Sequence, residues 1–207
     1  MSIIIRDFGI CDWNLINFSM NMFTNLRNIK TKDELWLLEY FPVFTRGISE
    51  KSKFLSYINQ IPVFLTNRGG KMTYHGPGQL IIYFLIDLRR RSMKILVFIK
   101  KILSIIKETL QEFFIFTYEK KKFPGLYIDN QKISSLGLRV VHGCIMHGFS
   151  INVKMNLLPF TFINVCGIKS MKVIDMFYYN SKVTLLKVKQ KILKKIFKIF
   201  SNIYCLT

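Results

Sequence analysis

The segment QLIIYFLIDL (79–88) limits most strongly what this chain can fold into. It is a continuous apolar run, yet it is far shorter than the roughly 18 to 20 residues that span a bilayer. An apolar run of this length between turn signals is typical of a strand that is fully buried in a sheet. The sequence therefore predicts a buried strand here, after which Arg89 to Arg91 return the chain to solvent.

Three other segments have the signals of helices. Asp12 is the predicted N-cap of a helix from Trp13 to about Asn28, and Ser92 the predicted N-cap of a long second helix. The second helix has charged residues opposite an apolar stripe made of Ile95, Ile99, Ile102, Leu103, Ile106, Leu110 and Phe113. The segment 184–200 has lysines opposite its apolar side, which favours packing on the domain over contact with a membrane surface.

Short apolar runs predict the remaining strands, at 3–8, 35–40, 62–66, 144–153 and 160–165. Pro124-Gly125 opens a predicted hairpin in which Asp129-Asn130 forms the turn between two strands. Strands and helices neither alternate strictly nor separate into blocks. The predicted fold class is therefore α+β with a mixed or antiparallel sheet, in a single domain over 1–207.

Composition excludes several classes of protein. Half of the 207 residues are hydrophobic and only five are proline, so the chain is not disordered. Charged residues interrupt every apolar stretch and no signal peptide begins the chain, so we expect a cytoplasmic protein without stable membrane insertion. Neither a zinc site nor a disulfide framework is supported, because the cysteines are widely spaced and show no CxxC pair: Cys11, Cys144, Cys166 and Cys205.

The charge balance is strongly basic, since 31 Lys and Arg against 12 Asp and Glu give a net charge of +19. Such a charge is a common sign of nucleic-acid binding. Here the excess is mostly Lys spread along the chain beside abundant Ile, Asn and Phe, a composition that AT-rich mutational bias produces by itself. We therefore predict a basic surface that tolerates acidic partners, and no nucleic-acid partner.

The densest group of chemically capable residues is TNRGGKMTYHGPGQL (66–80). Its glycines let a ligand approach the backbone closely, while Arg68 and His75 offer charge and hydrogen bonds. This pattern indicates a binding loop, although glycines used only for turn geometry are the simpler alternative. The segment contains neither GxxxxGK[ST] nor GxGxxG, so it is not a standard nucleotide loop.

Three further segments hold single residues of interest. In KISSLGLRV (132–140), Lys132 is by itself most simply a solvated side chain. In HGFSINV (147–153), His147 is most simply a hydrogen-bonded core residue. In NVCGI (164–168), Cys166 precedes a glycine, and inert packing is the default interpretation of a free cysteine.

Taken together, these segments resemble one family in order and spacing. RGGKMTYHGPGQL, PGLYIDNQKISSLGLRV, HGFSINV and NVCGI are similar to the signature segments of the bacterial lipoyl(octanoyl) transferases, and DELWLLEYFPVFTRG (33–47) extends the similarity. The resemblance runs from Ile3 to about Met176. Three positions depart from the family pattern, namely Tyr40, Lys122 and Val165, which stand where a histidine, an acidic residue and a proline are common.

The resemblance implies the fold of the biotin/lipoate protein ligase catalytic domain. It implies transfer of an octanoyl group from acyl carrier protein to a lysine of lipoyl domains, in 2-oxoacid dehydrogenase complexes and in the glycine cleavage H protein. We also expect a monomer that needs no cofactor and no metal. The acidic carrier protein would be attracted by the basic surface.

The resemblance also assigns roles to residues. Cys166 corresponds to the family's nucleophile and Lys132 to its activator. The substrate pocket corresponds to Arg68, Gly69, Gly70, Lys71, Met72, Thr73, Tyr74, His75, Ser135, Leu136, Gly137, Gly148, Phe149 and Ser150. A nearby ammonium favours the thiolate form of a cysteine, which attacks the thioester and holds the acyl chain. Backbone N–H groups of Gly137 or Gly167 are candidates for an oxyanion hole.

Two other classes remain as alternatives. An ATP-dependent lipoate or biotin ligase shares the implied fold but activates a free acid as an adenylate. A non-catalytic basic module would bind RNA or an acidic protein in a salt-sensitive way and would form no covalent acyl intermediate.

Overall fold

A computed structural model describes residues 3–169 and 171–200 and the backbone of 203–205. The helices are α1 (Trp13–Leu26), α2 (Ile95–Gln111), α3 (Met176–Tyr179) and α4 (Leu185–Ile199). The strands are β1 (Ile3–Cys11), β2 (Asp33–Tyr40), β3 (Val43–Arg46), β4 (Tyr57–Ile58), β5 (Ile61–Leu65), β6 (Met72–His75), β7 (Gln79–Asp87), β8 (Tyr118–Glu119), β9 (Gly125–Ile128), β10 (Gln131–Val141), β11 (Cys144–Asn152) and β12 (Ile203–Cys205).

The strands form two sheets. The larger has eight strands in the order β12-β1-β2-β7-β11-β10-β9-β8, and the smaller has four in the order β4-β5-β3-β6. In the larger sheet β1 pairs in parallel with β2 and β12, whereas the other pairs are antiparallel. The predicted class, α+β with a mixed sheet, is confirmed.

Strand β7 is buried over its whole length, as its apolar sequence predicts. Because successive side chains point to opposite faces, Ile82 and Phe84 pack in the core beneath α2 and α4. Ile81 and Tyr83 instead face α1, whose Trp13, Ile16 and Met20 cover the other side of the sheet. A third apolar cluster joins the smaller sheet to the segment around Phe160 and Val165.

Local signals in the sequence predict several turns and caps correctly. The Asp12 carboxylate accepts hydrogen bonds from the backbone nitrogens of Asn14 and Leu15, as an N-cap does. Asp129 and Asn130 both have positive φ, 46° and 65°, which is the geometry of a type I′ hairpin turn. The helix predicted over 184–200 is α4, and its buried apolar side packs in the domain core.

The predicted N-cap at Ser92 is wrong, because α2 begins at Ile95 and Lys94 occupies the cap position. Ser92 instead has a left-handed backbone and ends a short 3-10 helix, Arg89–Arg91. This tight turn brings the side chains of Arg90 and Arg91 back to the buried carboxylate of Asp33, at 2.8 Å and 3.0 Å. The arginines therefore hold an ion pair rather than simply returning the chain to solvent.

The predicted strand at 160–165 is also wrong. The structure has two 3-10 helices there, Leu158–Phe162 and Val165–Gly167. Pro159 favours the first turn of a helix, and the backbone nitrogen of Phe160 donates to the carbonyl of Leu157 rather than to a neighbouring strand. Strand β5 exists as predicted, although Val63 is its one buried residue.

No helix in the described part of the chain is long and apolar enough to cross a membrane. The described cysteines, Cys11, Cys144 and Cys166, are free thiols as predicted, and the side chain of Cys205 lies outside the described residues. No three metal-binding side chains among the described residues lie close enough to hold an ion.

Candidate active site

A cavity of about 270 Å³ opens between the smaller sheet and the face of the larger sheet that α1 covers. All but one of the predicted site residues line it, the exception being Tyr74. The ring of Tyr74 packs between Phe44 and Phe160, with both centroid distances 5.4 Å. Tyr74 therefore supports the wall of the cavity from behind.

Cys166 lies in the short 3-10 turn Val165–Gly167, at the cavity and only partly buried. Its backbone has φ 57° and ψ 15°, a left-handed conformation that is uncommon outside glycine. Strained backbone of this kind is found at functional sites more often than elsewhere. The turn places Cys166 at the cavity, where it also packs against the third apolar cluster.

Lys132 lies on β10 and is 4% exposed, so it is not the solvated side chain that the local sequence suggests. Its Nζ is 3.0 Å from Cys166 Sγ, which brings together two residues that are 34 positions apart. The ammonium also lies 5.4 Å from the centre of the Tyr127 ring, in a cation–π contact. These contacts direct the amine at the thiol.

The backbone around Lys132 holds this geometry. The nitrogen of Lys132 donates to the carbonyl of Lys172, and the nitrogen of Ile174 donates to the carbonyl of Lys132. The pairing of β10 with β9 is irregular between Lys132 and Ser134, as a β-bulge makes it. The segment 172–174, which follows Cys166 in the sequence, thus pairs with β10 at Lys132, the residue that faces the thiol.

The cavity is electropositive. None of the residues that line it in the described part of the chain is acidic, and four are basic: Arg68, Lys71, Lys122 and Lys132. Because nearby positive charge favours an anion over a neutral group, this lining favours a thiolate. The arrangement can therefore supply a nucleophile and stabilise negative charge that develops on an acyl carbonyl.

Arg68 holds the predicted binding loop closed on itself. Its Nη2 donates to the backbone carbonyls of Thr45 and Lys71 at 2.9 Å and 3.0 Å, and its Nη1 donates to that of Gly69 at 2.9 Å. Burial lowers the pKa of Arg68 to about 10, so the guanidinium is still charged at neutral pH. Gly137 leaves room for this side chain, because a β-carbon there would be 3.2 Å from Arg68 Cδ.

Two buried histidines line the cavity as neutral rings. Burial lowers the pKa of His75 to about 4, and its Nδ1 lies 2.6 Å from Gln79 Oε1. Burial, with the nearby charges of Arg68 and Arg139, lowers the pKa of His147 to about 3. Both imidazoles therefore serve as hydrogen-bonding groups rather than as cations at neutral pH.

Several residues that line the cavity were not among the predicted site residues: Ser49, Ile81, Tyr83, Lys122, Phe123, Pro124 and Val165. His147 also lines it, and is the buried, hydrogen-bonded residue that the sequence suggests. The alternation along β7 places Ile81 and Tyr83 on one face, but the facing element is known from the fold alone. Tyr40, one of the departures from the family pattern, donates to the hydroxyl of Tyr83 at 3.1 Å. Tyr40 thus supports the cavity wall indirectly, through its contact with Tyr83.

One suggested oxyanion donor is corrected by the structure. The backbone nitrogen of Gly167 donates to the carbonyl of Asn164 at 2.7 Å, within the turn that carries Cys166. That N–H is already engaged, so it is not available to a substrate oxygen in this conformation. The side chain of Lys71 lies directly over Gly167, where a β-carbon would be 2.6 Å from Lys71 Cδ.

Solved structures with the same architecture include lipoate and biotin protein ligases. A lipoate-protein ligase A bound with ATP superposes with a TM-score of 0.74 at 13% identity, covering 100% of this chain and 89% of that one. A biotin protein ligase from Aquifex aeolicus superposes with a TM-score of 0.55 at 13% identity, covering 97% and 68%. The fold is thus that of the ligase catalytic domains, as the resemblance implies.

Sequence relatives narrow this class. The model of the lipoyl protein ligase A/B catalytic domain matches residues 16–197, and the chain belongs to that family. The octanoyltransferase of Buchnera aphidicola subsp. Acyrthosiphon pisum is 47% identical over 95% of this chain and 93% of its own length. The octanoyltransferase of Vibrio cholerae O395 is 41% identical over 84% and 81%. These matches confirm the predicted enzyme class, an octanoyltransferase that serves lipoylation.

Proposed function

We propose that this enzyme transfers the octanoyl group through a thioester on Cys166. The observation that carries the proposal is the 3.0 Å contact between Lys132 Nζ and Cys166 Sγ at the wall of the cavity. The Cys166 thiolate attacks the carbonyl carbon of an octanoyl thioester, a C–S bond forms, and the carrier's thiol leaves with the proton that Lys132 supplies. One thioester replaces another, so the step needs no nucleotide.

The second half of the reaction passes the acyl group to a lysine. The amine nitrogen attacks the carbonyl carbon of the acyl-enzyme, a C–N bond forms, and the C–S bond to Cys166 breaks. Lys132, which has given up its proton, accepts one from the amine and restores the starting state. The apolar members of the lining, among them Met72, Ile81 and Phe149, suit the hydrocarbon chain.

The proposed donor is octanoyl-acyl carrier protein, and the proposed acceptors are the lipoyl domains of 2-oxoacid dehydrogenase complexes and the glycine cleavage H protein. One of the structural relatives was solved as a bipartite lipoate protein ligase with its E2 lipoyl domain. The net charge of +19 favours encounter with an acidic carrier. If this charge attraction contributes to binding, raising the ionic strength should increase the KM for the carrier.

Intact-protein mass spectrometry after incubation with octanoyl-carrier tests the proposal. We expect one octanoyl increment on the wild-type protein, none on Cys166→Ala, and loss of the increment when a lipoyl domain is added. Cys11→Ala is the matched control and should still acquire the increment. An increment on Cys166→Ala, or no increment on the wild-type protein, would contradict the proposal.

Two further assays on the same purified protein test the alternative functions. An ATP-dependent ligase would modify a lipoyl domain from free octanoate and ATP, without a carrier and without an acyl-enzyme. A basic binding module would retain RNA at low salt and acquire no mass. We expect neither result, because the sequence relatives at 41–47% identity are octanoyltransferases.

A further inference from the structure

A chain of hydrogen bonds runs from α1 to the wall of the cavity and ends on His147. Asn21 Nδ2 donates to the backbone carbonyl of Asn17 at 2.7 Å. Asn67 Nδ2 donates to Asn21 Oδ1 at 2.9 Å. Asn67 Oδ1 lies 2.6 Å from His147 Nε2. None of these groups belongs to the Cys166 and Lys132 pair, so the mechanism above does not use this series of hydrogen bonds.

This series of hydrogen bonds determines which nitrogen of His147 carries the proton. A carbonyl oxygen accepts hydrogen bonds and never donates, so Asn17 fixes the amide of Asn21 with its nitrogen toward that carbonyl. Asn21 Oδ1 must then accept from Asn67, which leaves Asn67 Oδ1 as an acceptor for His147. His147 is therefore protonated on Nε2, and its Nδ1 carries a lone pair.

That lone pair is available to a molecule in the cavity. His147 lines the cavity and is 3% exposed, and no donor in the described part of the chain makes a hydrogen bond to Nδ1. The ring is neutral at physiological pH because burial lowers its pKa to about 3. Such a nitrogen is a weak base but a good hydrogen-bond acceptor, so it can hold an N–H without removing the proton.

We propose that His147 Nδ1 accepts a hydrogen bond from the amine of the incoming lysine and positions it for attack on the acyl-enzyme. This inference rests on the proposed function. An octanoyl chain and a thioester carry no N–H or O–H, whereas a neutral amine carries two N–H donors and a lone pair. One N–H bonded to Nδ1 leaves the lone pair free to attack the carbonyl carbon.

The charges around the cavity agree with this assignment. Arg68, Lys71 and Lys122 line it, and their positive charge disfavours an ammonium beside them, while Lys132 is neutral at this stage because it has given up its proton. An entering lysine is therefore favoured as the neutral amine, which is the nucleophilic form. The proton lost on forming the C–N bond goes to Lys132 rather than to His147, so the imidazole is a substrate-positioning group.

The two half-reactions test the inference separately in His147→Phe, which keeps a planar ring and removes both nitrogens. Formation of the acyl-enzyme from octanoyl-carrier should stay within about twofold of the wild-type rate. Transfer from the isolated acyl-enzyme to a lipoyl domain should slow by at least about tenfold. His142→Phe, the same substitution at an exposed histidine, should alter neither rate.

Long-range ¹H–¹⁵N spectra of the wild-type protein supply a measurement that does not depend on a variant's folding. They should show the proton on Nε2, and the Nδ1 resonance should shift when a lipoyl domain binds. A lipoyl domain with its target lysine replaced by methionine should leave Nδ1 unmoved.

Several outcomes would overturn the inference. Finding the proton on Nδ1 would overturn it. An unchanged rate of octanoyl transfer to the lipoyl domain by folded His147→Phe would overturn it as well. Slowing of acyl-enzyme formation alone would place the N–H donor on the carrier's arm instead. If the wild-type protein forms no acyl-enzyme at all, the proposed function itself fails, which these other results would not imply.

Discussion

Gly125 lies directly against the side chain of Lys132: a β-carbon at position 125 would be 2.8 Å from Lys132 Cε and would overlap the carbonyl oxygen of Ser134. Gly125 also has φ 139°, a backbone conformation that other residues rarely adopt. The path of the amine toward Cys166 thus depends on a missing side chain on the neighbouring strand β9.

Gly125→Ala is expected to displace Lys132 and to slow acyl-enzyme formation by about tenfold or more. We expect a loss of stability of about 1–3 kcal/mol from the forced backbone as well. Gly9→Ala is the matched control, since Gly9 has φ 63° but open space around its α-carbon. If Gly125→Ala acylates at the wild-type rate, Gly125 does not guide the lysine.

Lys132→Met is expected to make Cys166 less reactive at neutral pH, because it removes the ammonium 3.0 Å from the sulfur. Alkylation by iodoacetamide followed by mass spectrometry should be about tenfold slower than in the wild-type protein at pH 7. Lys121→Met, at an exposed lysine nearby, should behave like the wild-type protein. Equal rates for Lys132→Met and the wild-type protein at pH 7 would argue against the pairing.

The free energy of unfolding is expected to fall as the pH drops from about 6.5 to about 4. The pKa values of His75 and His147 are about 4 and about 3 in the folded protein, below the ordinary value near 6.5. The unfolded chain therefore takes up these two protons first, and each costs up to about 1.4 kcal/mol of stability per pH unit in that window.

Urea unfolding between pH 7.5 and pH 4.5 measures this slope. His75→Gln should reduce it by about one proton, whereas His142→Gln at an exposed site should leave it unchanged. Asp87 and Glu112, with pKa values of about 2 in the folded protein, add their own loss below about pH 4.5. A stability that is flat from pH 7 to pH 5 would contradict the assignment of neutral buried rings.

Asp33→Asn is expected to destabilise the fold by about 3–5 kcal/mol, because Asp33 is 2% exposed and compensates three partly buried arginines. Its carboxylate lies 2.8 Å from Arg27 Nη2, 2.8 Å from Arg90 Nη2 and 3.0 Å from Arg91 Nη2. Asp7→Asn, which breaks a half-exposed pair with Lys189, should cost at most about 1 kcal/mol. Chemical denaturation of both variants decides the matter, and equal effects would mean that burial is unimportant here.

The sequence predicts local structure correctly where the signal lies within a few residues. It fails where contacts with a distant segment decide the local conformation. Asp12 caps α1 through nitrogens two and three residues away, and the Asp129-Asn130 turn needs no partner beyond its own hairpin. The segment 160–165 is apolar enough for a strand but coils into 3-10 turns, because its apolar residues pack against the smaller sheet. The sequence offers Ser92 as a cap, yet Ser92 ends the 3-10 turn Arg89–Arg91, whose arginines pair with Asp33, and α2 begins at Ile95.

The amino-acid sequence by itself determined the fold class, the family and the identity of the candidate residues, since periodicity and motif spacing are properties of the chain. Tertiary structure alone brought Lys132 to Cys166 across 34 positions and His147 to Asn67 across 80. Only the packing of segments far apart in the sequence brings such residues together, and only burial and local charge decide which groups are ionised. The thiol, the amine and the imidazole thus acquire their chemical character from neighbours that no local pattern specifies.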